Sequence, residues 1–149
     1  SRKKKGSNNF YKQKLKLAKS HMKIVDKRTN FHNKLVSILI NKNQVISIET
    51  LKVKEMAMKG NKHLSKLIGQ QGWSLFITKL ISKAAECNRI IHKVDTYYPS
   101  SQICSNCGYK WGRLNLSIRT IKCDECFIEH DRDINAAKNM ITNYLKTVQ

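Results

Sequence analysis

Mostly apolar residues recur along the first part of the chain at alternating steps of four and three residues. They are Tyr11, Leu15, Ala18, Met22, Val25, Thr29, His32, Val36 and Leu39. Such steps return to one face of an α-helix, and no proline or glycine occurs between Asn8 and Ile40. We therefore predict one long basic helix there, with one mostly apolar face and lysines on its other faces. His32 is interpreted as a packed histidine rather than as a metal ligand.

Shorter elements follow this helix. The apolar run from Val45 to Ile48 predicts a short buried strand that ends on Glu49, and Ile90 to Val94 predicts a second strand. Residues 52–71 are polar and predict a loop or a weak helix. Two further helices are predicted: Trp73 to Ala85, with Phe76, Leu80 and Ala84 on one side, and Ile134 to Leu145, with Ala137, Met140, Ile141 and Tyr144 on its apolar side. Cys87, alone in a helical stretch, is interpreted as a buried apolar residue.

Charge narrows the choice of partners. The chain has 149 residues with 29 Lys and Arg against 10 Asp and Glu, a formal net charge of +19. Residues 1–48 alone hold thirteen Lys and Arg and a single acid, Asp26. Such a balance indicates a polyanion partner, because neutralised phosphates release counterions. A ribosomal-type protein and a cationic membrane-surface protein are alternatives. No apolar run reaches the roughly 18 residues of a membrane span, and no signal peptide is visible.

Four of the five cysteines form two C-x-x-C pairs with fifteen residues between them: Cys104, Cys107, Cys123 and Cys126. This spacing is typical of a four-cysteine zinc site, whose closed thiolate shell is structural rather than catalytic. Disulfides and a redox pair are weaker alternatives. Aromatic and basic residues within this region could stack on bases and meet phosphates, or could cover a thin core, and both interpretations stay open. They are Tyr109, Trp111, Arg113, Arg119 and Lys122.

Three acids stand out in so basic a chain. Glu49 follows a predicted strand, and ligands of open α/β sheets bind at strand ends. Asp131 and Asp133 come just before the last predicted helix. One of the two aspartates is expected to cap that helix, since Asp is a favoured capping residue. The other interpretation is a carboxylate that binds magnesium, because hard cations need oxygen ligands.

Four stretches carry a resemblance to a known family. SRKKKGSNN, VISIETLKVKEM, YYPSSQICSNCG and HDRDINAAKN occur in this order along the chain. The chain resembles the TnpB-type (OrfB-like) transposon proteins, relatives of the compact type V CRISPR effectors, over essentially its whole length. The resemblance implies an enzyme that cuts DNA with magnesium, directed by a guide RNA. DNA and guide RNA are thus the implied partners, in a cytoplasmic, nucleoid-associated location if the host is a prokaryote.

The resemblance also implies the fold class, which is α/β. It is part of an RNase H-like (RuvC-like) domain with a long basic helix at its start and a zinc ribbon inserted before the last helix. The implied parts are a partial nuclease domain over 1–98, the ribbon over 99–130 and the final nuclease helix over 131–149.

Site residues follow from the resemblance in the same way. Glu49 and Asp133 are implied as catalytic carboxylates that hold magnesium, with Asp131 as a non-catalytic neighbour. The four cysteines are implied as the ligands of a structural zinc. The family's first catalytic aspartate lies on an upstream strand in an Asp-x-Gly setting that this chain lacks. The chain is therefore expected to be the C-terminal portion of such a nuclease, inactive alone. The alternative is a non-catalytic zinc-ribbon protein that binds nucleic acid.

Overall fold

A computed structural model describes residues 4–59, 61–115 and 117–148. The first three residues of the basic SRKKKGS stretch lie outside this part. Within these ranges the elements are, in order, α1 (Asn8–Lys42), β1 (Val45–Glu49), α2 (Val53–Lys59), α3 (Lys62–Gln71), α4 (Trp73–Glu86), β2 (Ile90–Val94), a 3-10 turn (Ser100–Gln102), β3 (Thr120–Lys122), β4 (Glu129–Asp131) and α5 (Arg132–Thr147).

The long helix α1 begins at a side-chain cap and ends at an extended residue. Ser7 accepts a hydrogen bond from the Phe10 N–H at 3.2 Å, and Asn43 leaves the helix with φ −135°. Only the second half of the helix is packed, through His32, Val36 and Ile40. His32 is packed, as predicted, whereas residues 11–27 of the helix are all exposed. The reason is tertiary, because α4 covers α1 only from about His32 onward.

β1 and β2 pair in parallel, with Val45 opposite Ile90 and Glu49 opposite Val94. Parallel strands need a crossover connection, which α2 to α4 supply here. The apolar core lies between α1 and α4, and the partly buried Ile46, Ile48 and Ile91 of the sheet pack against it. β1, predicted as a buried strand, is only partly buried. Its residues 45–48 are half-buried, because β2 is the only strand beside it within the described residues.

α5 packs against both strands. His92 of β2 hydrogen-bonds the Asn143 side chain at 2.9 Å. Successive side chains of a strand alternate between its faces, so Ile46 and Ile48 lie on one face of β1 and Ser47 and Glu49 lie on the other. Ser47 pairs with His92, so His92 lies on the same face of the sheet as Glu49. The face of Glu49 is therefore the face that α5 covers.

Residues 52–71, predicted as a loop or a weak helix, form the two short helices α2 and α3, which bury no residue. The Asn61 side chain caps α3 by accepting from the Leu64 N–H at 2.8 Å. Gly72, with φ 63°, ends α3 and starts α4. A Cβ at this residue would lie 3.2 Å from Arg28 Cδ and 3.3 Å from His32 Cε1.

Two glycine substitutions test this connection. Gly72→Ala should destabilise the fold by about 1–2 kcal/mol, the cost of a side chain in the left-handed region. Gly69→Ala is the matched control, since it lies within α3 and its new Cβ meets nothing within 4 Å. It should stabilise the protein by up to about 1 kcal/mol. Urea unfolding measures both changes, and equal shifts for the two variants would contradict the connection described here.

The last helix buries only part of the predicted face: Met140 and Tyr144 are half-buried, and the Tyr144 ring lies 5.4 Å from that of His92. Asn135 and Asn139 are buried, at 1% and 3% exposure, whereas Ile141 is 39% exposed. The apolar pattern misleads because the segment packed against α5 presents backbone groups rather than apolar side chains. Asn139 Nδ2 donates to the Ser100 and Ile103 carbonyls at 2.8 and 2.6 Å. Buried amides are stable where such partners exist.

Candidate functional site

The four paired cysteines converge. Their Sγ atoms all lie within 4.8 Å of one another. Cys104 and Cys126 Sγ are 3.7 Å apart, and Cys107 and Cys123 Sγ are 3.6 Å apart. A tetrahedral shell with zinc–sulfur bonds of about 2.3 Å has sulfur–sulfur edges of about 3.8 Å. The cluster therefore fits a zinc ion, as the spacing predicts.

Two equivalent turns present these thiols. The Gly108 N–H donates to the Cys104 carbonyl, and the Phe127 N–H donates to the Cys123 carbonyl, both at 2.9 Å. The residue after each C-x-x-C pair has a positive φ, 81° at Gly108 and 60° at Phe127. Gly108 marks the first turn in the sequence, whereas a phenylalanine gives no signal for the second. Each turn aims its two thiols at one point.

The close approach of the four thiols shifts the pKa values of two of them in opposite directions. The Ile128 N–H, together with the neighbouring thiols, lowers the pKa of Cys126 to about 7. The Tyr109 N–H favours the thiolate of Cys107, yet burial and hydrogen bonds to the other three thiols together raise its pKa to about 12. Four thiolates at this separation need a cation between them, since like charges disfavour ionisation. A bound metal supplies that charge and releases the protons.

Side chains of the ribbon divide into packed and exposed ones. Trp111 packs, because its Nε1 donates to the Ser101 carbonyl at 3.1 Å and its ring lies 6.1 Å from that of His130. The basic residues of the ribbon singled out from the sequence are exposed, as are Tyr109 and, at 71%, Phe127. Of the two interpretations that the sequence leaves open, core covering applies to Trp111. Arg113, Lys122 and the rings of Tyr109 and Phe127 are open to a ligand, whereas Arg119 pairs with Asp133.

The two predicted catalytic carboxylates occupy element ends. Glu49 is the exposed last residue of β1. Asp133 lies in the first turn of α5, with its side chain 80% exposed and Oδ2 3.7 Å from Arg119 Nη1. Asp131 is the helix cap, as expected of one aspartate, and accepts from the Asp133 and Ile134 N–H groups at 2.9 Å. Among the described residues, the four cysteines are the only group of three or more possible metal ligands in mutual reach.

Glu49 and Asp133 lie toward the same end of the sheet. Asn143 of α5 lies beside His92. One turn earlier in α5, the Asn139 carbonyl accepts a hydrogen bond from Tyr98 Oη at 3.2 Å, and Tyr98 follows the carboxyl end of β2. α5 therefore runs opposite to the strands. Asp133 precedes Asn143 by about 15 Å of helix, and the strands extend about 7 Å past His92. The start of α5 therefore lies toward the carboxyl end of β1, the end at which Glu49 stands.

Two clefts flank Glu49. One, of about 570 Å³, lies between the end of β1 and α4 and includes Trp73 and Lys93 in its lining. The other, of about 520 Å³, extends toward Tyr97, which is 82% exposed with Lys52 Nζ 6.0 Å from its ring centre. The surroundings of Glu49 therefore combine cations with exposed aromatic surface.

Sequence reasoning missed three residues that support the ribbon. His130 Nε2 lies 3.2 Å from Cys104 Sγ, and Asn135 and Asn139 bond the backbone around Cys104. The four-residue spacing of the asparagines, which sets them on one helix face, was an available signal. No helix in the part of the chain described here is long and apolar enough to cross a membrane.

Two family models and several known proteins are similar to this chain. Residues 1–59 match the OrfB_IS605 family model, described as a probable transposase, and residues 73–140 match the Cas12f1-like, TNB domain model. A Streptomyces pristinaespiralis protein named as an RNA-guided DNA endonuclease is 38% identical over 95% of this chain and 34% of its own length. InsQ of Escherichia coli K12, named likewise, is 29% identical over 95% of this chain and 38% of its own length.

The fold also matches a solved structure. The chain aligns with one in the Cas12f1–sgRNA–target DNA complex at a TM-score of 0.55 and 23% identity, covering 88% of this chain and 39% of that one. TnpB-like protein L79 of Acanthamoeba polyphaga mimivirus is 31% identical over 87% of this chain and 25% of its own length. The chain thus spans between a quarter and two fifths of the curated relatives named here. Over nearly its whole length, the chain is similar to proteins of the TnpB-type (OrfB-like) family.

Proposed function

We propose that the protein acts in RNA-guided cleavage of DNA, as part of a RuvC-like nuclease interrupted by a zinc ribbon. The nuclease parts are residues 1–98 and 131–149, and the ribbon is 99–130. One observation carries the proposal. Glu49, at the end of a parallel strand, shares a sheet face and a sheet end with Asp133, at the start of the helix that covers that face. Strand ends are where α/β sheets bind ligands.

Each carboxylate has a stated role in this proposal. Glu49 and Asp133 hold divalent ions through their oxygens, the ligands that magnesium prefers. Magnesium bound there supplies an activated water and a charge that stabilises the leaving oxygen. Arg119, which pairs with Asp133, would be available to a phosphate if that carboxylate held an ion. Asp131 keeps its capping role and holds the first turn of α5 in place.

Nucleic acid is the partner that the surfaces favour. The first half of α1 carries six exposed lysines and one acid over residues 8–27, and cations and a free tyrosine ring lie beside Glu49. Phosphates meet such lysines, and bases stack on exposed rings. The names of the relatives favour target DNA and guide RNA as the two nucleic acids.

A variant of α1 tests this surface. Changing Lys12, Lys16, Lys19 and Lys23 to glutamine keeps helix propensity and should flatten the salt dependence of DNA binding by up to about three to four in logarithmic slope. Fluorescence anisotropy over a salt series measures this. The control changes Lys59, Lys62, Lys66 and Lys146, all exposed and outside both α1 and the clefts beside Glu49, with the same loss of charge. Equal slopes for the two variants would mean that α1 is only a solvated face.

A second function has an observation in its favour. Asp133 is paired with Arg119 and highly exposed, and two carboxylates are fewer than a two-metal site uses. A non-catalytic module that binds nucleic acid through α1 and the ribbon needs neither carboxylate. The two proposals differ in whether a divalent ion binds at Glu49 and Asp133.

Manganese distinguishes these functions in the chain as it stands. Paramagnetic Mn²⁺ should broaden the amide NMR signals of both Thr50 and Ile134, since each follows a carboxylate that holds the ion. Glu49→Gln should restore both signals, because the two carboxylates share the ion. Glu55→Gln removes an exposed acid of α2 and should restore neither. Signals that stay broadened in the Glu49→Gln variant would favour the non-catalytic module.

A further inference from the structure

Asn135 holds the backbone on both sides of a metal ligand. Its Nδ2 donates to the Ile103 carbonyl at 2.7 Å, and its Oδ1 accepts from the Ser105 N–H at 2.8 Å. Cys104 is the residue between those two. Asn135 is 1% exposed, so water does not compete for these bonds. Removing either partner would leave a buried polar group without a hydrogen bond, which lowers the stability of the fold.

A second contact to Cys104 comes from the same part of the chain. His130 Nε2 lies 3.2 Å from Cys104 Sγ, and the histidine is buried. Hydrogen bonds of this kind orient metal ligands and tune their affinity. Cys104 is itself buried, at 1% exposure, and its N–H donates to the Tyr109 carbonyl at 2.8 Å. The thiol of Cys104, its N–H and the peptide groups on both sides of it are therefore all held by contacts.

The segment that makes these contacts also carries the predicted catalytic aspartate. His130 directly precedes the cap residue Asp131, and Asn135 follows Asp133 by two residues. We propose that Asn135 is a positioning residue that couples metal binding in the ribbon to the placement of the first turn of α5, and so of Asp133. The part of this proposal that concerns catalysis rests on the proposed nuclease function.

The coupling has a definite sign. Metal fixes Cys104, Cys104 fixes the peptide groups beside it, and these hold Asn135 in its rotamer. Removing the metal frees the Cys104 turn and weakens both bonds to Asn135, so the first turn of α5 opens more often. By the same linkage, a variant that lacks these bonds binds the metal less tightly, because a coupling free energy acts equally in both directions.

Zinc affinity gives the first test, in the 149-residue chain. Asn135→Leu keeps the size of the side chain and removes both bonds, and zinc affinity, measured by competition with a chelator, should fall about 10- to 100-fold. Asn143→Leu is the matched control. It makes the same change on the same helix, where the asparagine bonds His92 instead of the ribbon, and should leave zinc affinity unchanged. Asn135→Asp keeps the acceptor for the Ser105 N–H, so its zinc affinity should lie between those of the two leucine variants.

Hydrogen exchange gives the second test. In the unmodified chain, chelating zinc should accelerate exchange of the Asp133 and Ile134 amides, which bond Asp131. In Asn135→Leu those amides should exchange at one rate with and without zinc. A purely structural role would lower stability but leave the effect of zinc on these amides intact. Wild-type zinc affinity in Asn135→Leu, or equal acceleration in both proteins, overturns the proposal.

Neither measurement depends on DNA cleavage. If both tests succeed while Asp133 proves dispensable for cutting, the coupling stands and the nuclease assignment fails. If both fail while Asp133 is required, the nuclease assignment stands and Asn135 is only a buried packing residue.

Discussion

Replacing Cys104 or Cys123 with serine should abolish zinc binding by a chain that otherwise carries about one equivalent of the metal. The loss is large because structural zinc contributes about 10–16 kcal/mol of apparent binding free energy in small domains, and three thiolates no longer close the shell. Residues 100–130 should then lose protection from hydrogen exchange. α1 should keep its protection, because it packs on α4 and not on the ribbon. Elemental analysis of protein purified under reducing conditions measures the metal.

Cys87→Ser is the control for this experiment. Cys87 is half-buried against the core of α1 and α4, so the same chemical change there should leave the zinc content at one equivalent. Absence of zinc in the unmodified chain, or equal loss of zinc from the Cys87 variant, would contradict the assignment of the four ligands.

Glu49→Gln and Asp133→Asn should each lower DNA cleavage more than about 100-fold in a protein that joins this chain to an upstream segment with the first carboxylate and to its guide RNA. Both changes keep the shape of the side chain and remove a metal ligand, and loss of an outer-shell partner alone costs about 10- to 100-fold. Nucleic-acid binding should be nearly unchanged, since the lysines and aromatic rings remain. Cleavage of a labelled duplex and a binding titration measure the two effects.

Asp131→Asn is the matched control for the carboxylates. Asparagine caps helices about as well as aspartate, so the first turn of α5 and the cleavage rate should be preserved. The 149-residue chain by itself should cut nothing, because Glu49 and Asp133 are fewer carboxylates than a two-metal site uses. Normal cleavage by the Glu49 variant would remove that residue from the site, and strong loss in the Asp131 variant would mean that the two aspartates were assigned in the wrong order.

The sequence by itself determined the features that depend on local chemistry. The period of α1, the apolar runs of β1 and β2 and the helix from Trp73 all follow from residues close in the chain, and the structure has each of them. The two C-x-x-C pairs determined the cysteine cluster, because a tight turn fixes two thiols and one ion site joins two such turns. The capping role of one aspartate also follows from its place before a helix.

Only the tertiary structure decided which faces are used. Half of the apolar stripe on α1 is exposed because α4 meets only the part from about His32 onward. α5 buries Asn135 and Asn139 instead of Ile141, since the segment before and around Cys104 offers it carbonyl and N–H groups. A hydrophobicity pattern cannot anticipate that choice, because buried amides become favourable only when partners far along the chain arrive at hydrogen-bond distance.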